Sequence, residues 1–219
     1  MAPSYDEWYT SRLGRFVDAL EWHILRHLLR PRPAERILDV GSGTGRNARR
    51  LAKRGIRAVG LEPSPSMLAE AREHAVGELP SYVRGVAEAL PFGSGVFDAA
   101  LAVTTLEFVN DVDTAVAEAV RVTKPGGRIV VGVLNTRGPW AARRRRRGGQ
   151  PWESARFFAR EEIEALLAPF GPIDVRLGVY VPPAMGRMPR GILPLAEWLG
   201  RRVAPSAGAF IAARVDIRR

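Results

Sequence analysis

The sequence predicts an α/β fold in which a doubly wound, mixed sheet of about seven strands carries helices on both faces. Short buried strands alternate with amphipathic helices from residue 11 to about residue 134, a pattern typical of a mostly parallel sheet. A glycine-rich turn follows the first strand directly. Two further strands come after a long break, which suits a mixed sheet edge with an antiparallel last strand.

The N-terminal part predicts a helix followed by a first β-turn-α unit. Apolar residues recur at three- and four-residue spacing between residues 11 and 29, and Pro31 and Pro33 end this helix. The run Arg36–Val40 is typical of a short buried strand, and the glycine cluster after it indicates a tight turn. A second helix over Asn47–Arg54 completes the unit.

The same alternation continues along the chain. We expect strands at Ala58–Leu61, Tyr82–Val86, Phe97–Val103 and Arg128–Leu134, with helices at Ser66–Val76 and Asp113–Val122. Lys124-Pro125-Gly126-Gly127 predicts a turn, because proline bars helix continuation and paired glycines permit positive φ.

The pattern changes after residue 134. Residues 135–156 predict a polar, arginine-rich connection with partial disorder at Arg143–Arg147. Beyond it we expect a helix, a strand, a short helix and a last strand, at Arg160–Leu167, Ile173–Val179, about Leu195–Val203 and Phe210–Ile217.

Composition excludes several classes of protein. The chain has 219 residues, 46% of them hydrophobic, which suits one domain over residues 1–219. It contains no run of eighteen apolar residues and no basic-then-apolar leader, so we expect a cytoplasmic protein without a membrane span. The absence of cysteine excludes disulfides, thiolate metal sites and cysteine nucleophiles.

The net charge of +10 raises the question of a nucleic-acid partner. Arginine supplies nearly all the positive charge, and it is dispersed from Arg12 to Arg219 as well as clustered at Arg143–Arg147. Because nucleic-acid binding favours a clustered basic patch, this distribution disfavours nucleic acid as the partner.

The glycine turn carries the strongest functional signal. Gly41, Gly43 and Gly45 lie directly after a buried strand, where bare backbone lets a ligand approach closely. Glu62 ends the next strand and suits the two hydroxyls of a ribose. Arg46 stands where a dinucleotide fingerprint needs its third glycine. Asp39 before the turn would repel a pyrophosphate but favour a cation, so S-adenosylmethionine fits better than NAD.

Four blocks in order resemble the class I S-adenosylmethionine-dependent methyltransferases, of the group with Rossmann-like folds that includes quinone-biosynthesis C-methyltransferases. The similarity covers roughly residues 35–135. The blocks are Ile37–Gly45, Val59–Leu68, Gly85–Phe92 through Asp98, and Arg121–Arg128. The resemblance implies an N-terminal helical cap at residues 1–34, a cofactor-binding core at 35–135, and variable acceptor-side segments at 136–206.

The resemblance also implies which residues bind the cofactor. Gly41 and Gly43 would line its methionine portion, Asp39 would face the ammonium, and Glu62 would hold the ribose. The family commonly has an acid where this chain has Val86, so we expect the Ala87 backbone to contact adenine, with Glu88 either a substitute acid or a surface residue. The full predicted set is Asp39, Gly41, Ser42, Gly43, Thr44, Gly45, Glu62, Pro63, Met67, Ala87, Glu88 and Thr104.

Catalytic candidates are few. Glu107 follows the fourth strand at the rim where acceptor and methyl group should meet, although helix capping or a surface position is the favoured alternative. By the resemblance, Tyr5, Trp8 and Tyr9 would form a flap over the cofactor, with buried aromatic packing as the alternative, and Tyr9 is a second catalytic candidate. Trp140 lies in a segment that would shape the acceptor pocket.

Metal chemistry is not expected. His23 and His27 lie four residues apart on the first helix and share one face, but no third ligand accompanies them, so we expect partly exposed histidines.

The sequence therefore predicts methyl transfer from S-adenosylmethionine to a small-molecule acceptor, leaving S-adenosylhomocysteine. Two alternatives stay open. The chain could methylate RNA or another macromolecule, which the Arg143–Arg147 run would suit. It could also be a non-catalytic S-adenosylmethionine-binding module.

Overall fold

The computed structural model describes residues 8–75, 80–147, 154–189 and 191–218, so that Tyr5 and Val76 lie outside the described residues. Helices α1–α7 span Arg12–Leu29, Arg46–Ala52, Pro65–Glu73, Val112–Val122, Pro139–Arg147, Arg160–Leu167 and Ile192–Val203. Strands β1–β7 span Arg36–Val40, Arg57–Glu62, Ser81–Arg84, Phe97–Val103, Thr123–Leu134, Ile173–Gly178 and Phe210–Asp216.

The strands form one seven-stranded sheet in the order β3-β2-β1-β4-β5-β7-β6. Strands β1 to β5 pair in parallel, and β7 is antiparallel to both of its neighbours. The predicted fold class is thereby confirmed, including the antiparallel last strand. This strand does not form the edge, however, since it lies between β5 and β6.

Two hydrophobic clusters cover opposite faces of the sheet. Alternation along β1 explains the division, since Leu38 and Val40 face one cluster and Ile37 faces the other. Residues of α4 and α6 complete the first cluster. Residues of α1, α2 and α7 complete the second, which places the N-terminal helix against the sheet.

The predicted turn at Lys124–Gly127 is an outward loop within β5. Thr123 pairs with Phe97 and Arg128 pairs with Ala99, so that only one residue of β4 lies opposite the four of the turn. Gly126 adopts a φ of 76° there. Proline and paired glycines thus form the tight turn that they predict, but pairing resumes on both sides of it.

The prediction for residues 135–156 was partly wrong. Helix α5 occupies Pro139–Arg147, where the sequence favoured a partly disordered connection. The indole of Trp140 donates a hydrogen bond to the Val181 carbonyl at 2.7 Å, and the Arg143 guanidinium donates one to the Pro183 carbonyl at 2.8 Å. These long-range contacts fix the helix against residues 181–183.

Candidate functional site

The site lies at the carboxyl ends of β1 and β4. These strands are neighbours, yet β1 leads on to β2 at one side and β4 leads on to β5 at the other. The connections therefore diverge and leave a crevice, which is where open α/β sheets bind ligands. The glycine turn after β1 and the residues after β4 lie side by side at this crevice.

The glycine turn has the backbone conformation that its sequence predicts. Gly41, Gly43 and Gly45 have φ values of 67°, 55° and 80°, in the left-handed region that favours glycine. A Cβ added to Gly43 would meet only the Met67 sulfur, at 3.8 Å. The space beside Gly43 is therefore open, and a ligand can lie directly on the backbone.

Glu62 ends β2 and points its carboxylate at this turn. One oxygen accepts a hydrogen bond from the Gly43 N–H at 2.9 Å, and the other accepts one from the Ser64 N–H at 2.9 Å. The side chain is buried. Each carboxylate oxygen has a second lone pair, so Glu62 can fix the turn and also accept hydrogen bonds from two vicinal hydroxyls.

Asp39 lies beneath the turn and is 2% exposed. Burial raises the pKa of its carboxyl to about 7, and the nearby charge of Glu62 adds to this, whereas a hydrogen bond from the Ala48 backbone opposes it. The atom Oδ2 is buried without a hydrogen-bond partner. A ligand ammonium would provide the missing partner and favour the ionised form.

The roles of the predicted adenine-side residues stay predictions, and the structure gives their exposure and contacts. Ala87 is buried and Val86 is 47% exposed. Pro63 is exposed and Met67 is partly buried. Glu88 accepts a hydrogen bond from the Asn110 N–H at 2.9 Å, so its carboxylate fixes the loop after β4 and is not a freely solvated surface group.

Thr104 and Thr105 follow β4 directly, and Thr105 contacts the end of β1 and the glycine turn. Thr104, a predicted cofactor residue, has a φ of 51°, which is uncommon for threonine and costs conformational energy. The Thr105 hydroxyl donates a hydrogen bond to the Val40 carbonyl at 2.9 Å. Thr105 was not predicted, because nothing in the local sequence pattern shows that it contacts β1.

Glu107 is buried at 2% exposure, so the favoured alternative of helix capping or a surface position was wrong. Its Oε1 accepts a hydrogen bond from the Leu134 N–H at the end of β5, at 2.7 Å, while Oε2 is buried without a partner. Burial raises the pKa of this carboxyl to about 8, although the Leu134 hydrogen bond and Arg144 oppose the shift.

Aromatic residues lie next to the glycine turn and α5. The Trp8 ring makes edge contacts with Tyr9 at 5.0 Å and with Trp140 at 6.2 Å between centroids. Tyr9 lies under the Arg46 guanidinium, 4.1 Å from its centroid. Trp8 and Tyr9 are partly buried, and Trp140 is 8% exposed. Their contacts agree with aromatic packing, and a flap role stays a prediction.

A charge cluster that was not predicted joins α1 to the start of α2. Asp18, 7% exposed, accepts hydrogen bonds from both Arg46 and Arg50. Burial alone would raise the Asp18 pKa, but the two guanidinium groups outweigh it and lower the pKa. Arg46 and Arg50 lie 28 and 32 positions after Asp18, so sequence spacing gave no signal for the cluster.

Glu21 extends this cluster toward Glu107. Burial raises the pKa of Glu21 to about 8; the negative charges of Asp18 and Glu107 add to the shift, and Arg144 and Arg50 oppose it. The charges of Glu21 on α1 and of Glu107 in the loop after β4 therefore influence each other electrostatically.

His23 and His27 are exposed on α1 with ring centroids 4.2 Å apart, as expected for partly exposed histidines. Among the described residues, no group of three or more histidine, aspartate and glutamate side chains could hold a metal ion.

The buried carboxyl groups predict an unusual dependence of stability on pH. Burial raises the pKa of Asp39 to about 7 and that of Glu107 to about 8. In the folded protein, each carboxyl is therefore protonated at a pH below its pKa. In the unfolded chain they ionise near pH 4 to 4.5. The free energy of unfolding of the ligand-free protein should therefore fall by more than about 2 kcal/mol from pH 5 to pH 8.

Urea denaturation at pH 5, 6, 7 and 8 measures this slope. Glu107→Gln cannot ionise and should reduce the slope, which makes it the control. Stability that is constant or rises over this range would contradict the burial of these groups. Below about pH 4, carboxyls with lowered pKa values such as Asp18 and Glu35 act in the opposite direction, so stability falls there as well.

Comparisons with known proteins agree with this geometry. Residues 38–131 match the family model described as a methyltransferase domain. An uncharacterized protein of Mycobacterium tuberculosis is 39% identical over 85% of this chain and 64% of its own length. A demethylmenaquinone methyltransferase of Beutenbergia cavernae is 39% identical over 50% of this chain and 45% of its own length. The chain thus spans less than two thirds of these curated relatives.

A solved structure also matches over nearly the whole chain. It is a SAM-dependent methyltransferase from Thermotoga maritima, described as a possible histamine N-methyltransferase, with a TM-score of 0.76 and 28% identity. The match covers 98% of this chain and 94% of that one. Residues 38–131 therefore match a methyltransferase domain, and the chain as a whole is similar in fold to a SAM-dependent methyltransferase.

Proposed function

We propose that this chain transfers the methyl group of S-adenosylmethionine to a small-molecule acceptor at the crevice between β1 and β4. One observation carries the proposal. Among the described residues, only three buried side-chain polar atoms have no hydrogen-bond partner, and they are Asp39 Oδ2, Ser42 Oγ and Glu107 Oε2. Buried polar atoms are normally paired, so their concentration here indicates a site built for polar ligands.

The charge of the crevice suits this cofactor. Asp39 and Glu62 are both acidic and both buried, which would disfavour a pyrophosphate but favours an ammonium and a sulfonium. The cofactor supplies an activated methyl group on its sulfonium. Asp39 would hold the amino-acid part, Glu62 would hold the ribose, and the bare backbone at Gly43 would allow close contact. Holding the acceptor in line with the methyl group then provides much of the rate enhancement.

Glu107 is our candidate for the general base. The hydrogen bond from Leu134 to Oε1 fixes the carboxyl, and Oε2 is left to accept a proton or a hydrogen bond from an acceptor. Burial holds the pKa of this carboxyl at about 8, close to neutral pH, where a general base is most effective. Tyr9, the other candidate, has its ring against Arg46, which suits a packing role better.

A small acceptor is favoured over RNA by the arrangement of α5. The first two arginines of the Arg143–Arg147 run turn inward. The Arg143 guanidinium donates a hydrogen bond to the Pro183 carbonyl, and the Arg144 guanidinium lies 5.6 Å from the Trp140 ring centroid. Groups held in this way are poorly placed to neutralise a phosphate backbone. The quinone methyltransferase among the relatives also supports a small-molecule acceptor.

The proposal is tested in two stages. Calorimetry should show S-adenosylmethionine binding at micromolar concentration, and no binding at high micromolar ligand would end the proposal. The protein is then incubated with methyl-labelled cofactor and either the small-molecule fraction or the RNA fraction of a cell extract. Label should enter the small-molecule fraction. Label in RNA alone would favour the macromolecular alternative, and binding without S-adenosylhomocysteine formation would indicate a non-catalytic module.

Glu107→Gln tests the role of Glu107 as general base separately from cofactor binding. We expect turnover to fall about 100-fold, with cofactor affinity changed by less than about threefold. The matched control is Glu161→Gln, since Glu161 is exposed and pairs with Arg137 on the surface. Unchanged turnover in Glu107→Gln would remove Glu107 from the mechanism without affecting the proposed reaction.

A further inference from the structure

Helix α7 exposes an apolar face that the methyl-transfer site does not explain. Eight large hydrophobic side chains are exposed among the described residues, and five of them lie on this one helix. They are Ile192 at 37% exposure, Leu195 at 60%, Trp198 at 51%, Leu199 at 51% and Val203 at 74%. Contiguous exposed apolar surface of this kind marks an interaction site.

The opposite face of α7 fixes its orientation. Glu197 is 7% exposed, and its carboxylate accepts hydrogen bonds from the backbone N–H groups of Val179, Tyr180 and Val181. Leu193 is buried at 2% exposure. A Cβ on Gly200 would lie 2.6 Å from the Tyr180 Cβ, so the helix packs closely there. It cannot rotate to bury its apolar face without breaking these contacts.

A cationic cleft borders the Trp198 side of this face. It has a volume of about 280 Å³, and its lining includes His23 and His27 of α1, Arg176 of β6 and Arg201 of α7. Arg201 follows Trp198 by one helical turn, and Arg202 lies 4.1 Å from the Trp198 ring centroid. Arg176 has one exposed acidic partner, Asp174, at 3.3 Å. The cleft is thus predominantly positive.

We propose that α7 and this cationic cleft form a docking surface for an anionic phospholipid bilayer. The helix would lie in the plane of the interface with its apolar face among the acyl chains, as amphipathic helices bordered by arginine do. A lipid phosphate would enter the cleft between Arg176 and Arg201, where guanidinium groups suit phosphate oxygens. None of the helices that the structure describes has both the length and the apolar character of a membrane span.

Charge favours a lipid surface over a second copy of the chain. A second copy facing the same patch would bring another net charge of +10 and a second cationic cleft, and these would repel across a low-dielectric contact. An anionic bilayer instead attracts both the cleft and the whole protein. The same surface therefore has apolar and electrostatic complementarity to one kind of partner.

Vesicle cosedimentation tests the proposal. The full chain should sediment with vesicles that contain 30% phosphatidylglycerol in phosphatidylcholine, and much less with pure phosphatidylcholine vesicles. Replacing both Leu195 and Leu199 with glutamate should lower the partition coefficient by more than about tenfold. Arg201→Gln should lower it by about fivefold, equivalent to about 1 kcal/mol for one arginine near the surface.

The matched control replaces Ala117 of α4 and Ala165 of α6 with glutamate, since both are exposed on helices that pack on the opposite face of the sheet from α7, and it should leave partitioning nearly unchanged. Circular dichroism and cofactor binding confirm that each variant is folded. The proposal is overturned if the wild-type chain does not bind anionic vesicles, or if the control variant lowers partitioning as much as the α7 variant. It is also overturned if light scattering shows a dimer that only the α7 substitutions dissociate, since a second copy would then cover the patch.

Discussion

Glutamine in place of Glu62 is expected to weaken S-adenosylmethionine binding at least about 100-fold. In the structure both Glu62 oxygens accept hydrogen bonds from backbone N–H groups, of Gly43 and of Ser64. A glutamine amide has only one oxygen, so its NH₂ group would face one of these donors. The substitution also removes a buried negative charge beside a cationic ligand. Both effects act on the glycine turn and on the bound ribose.

Isothermal calorimetry measures this loss directly. Glu73→Gln is the control, because Glu73 is exposed at the end of α3 and its replacement removes the same charge without touching the crevice. An affinity within about threefold of wild type in Glu62→Gln would show that the carboxylate does not contact the cofactor. Glu88→Gln tests in the same assay whether Glu88 binds adenine. If Glu88 substitutes for the acid that is absent at Val86, this variant should bind the cofactor more weakly.

Alanine at Gly41 is expected to lower the free energy of unfolding by about 2 to 4 kcal/mol. Gly41 has a φ of 67°, and an added Cβ would lie 2.4 Å from the Thr105 methyl carbon and 2.5 Å from its hydroxyl oxygen. Thr105 cannot retreat without losing its hydrogen bond to the Val40 carbonyl. The substitution therefore strains the backbone and separates the ends of β1 and β4.

Gly55→Ala separates the contribution of backbone strain from that of the contact with Thr105. Gly55 has a φ of 75°, but the nearest atom to an added Cβ is a Pro33 carbon at 3.9 Å. It therefore reports backbone strain alone, for which we expect about 1 kcal/mol. Urea denaturation of both variants gives the comparison, and equal losses would show that the contact with Thr105 contributes nothing.

Local patterns predicted the first half of the fold well. The bounds of β1 and β4 agree with the prediction, because each is a buried run whose ends are set by neighbouring polar or turn residues. Helix α5 was missed for a physical reason. Its sequence is dominated by arginine, which gives no apolar stripe, and it is held by the contacts of Trp140 and Arg143 with residues 181–183. A window along the chain cannot detect such contacts.

The candidate site was likewise predicted only in part. Asp39, Gly43 and Glu62 were predicted as candidates, since Asp39 and Glu62 lie near the ends of strands and Gly43 lies in the turn after β1. Glu107 was assigned a surface or capping role as the favoured alternative, yet the N–H that orders it belongs to Leu134. Its burial depends on how β4 and β5 end next to each other, which only the assembled sheet determines.

The position of β7 has a consequence for how the chain folds. Strand β6 pairs with β7 and forms the edge of the sheet, so it has no partner strand until residues 210–216 have emerged from the ribosome. The five parallel strands can assemble earlier. Until β7 is present, the backbone N–H groups of β6 stay exposed to water. Because pairings between distant segments form slowly, the pairing of β7 with β5, whose partners lie 76 to 88 positions apart in the chain, should limit the rate of productive folding.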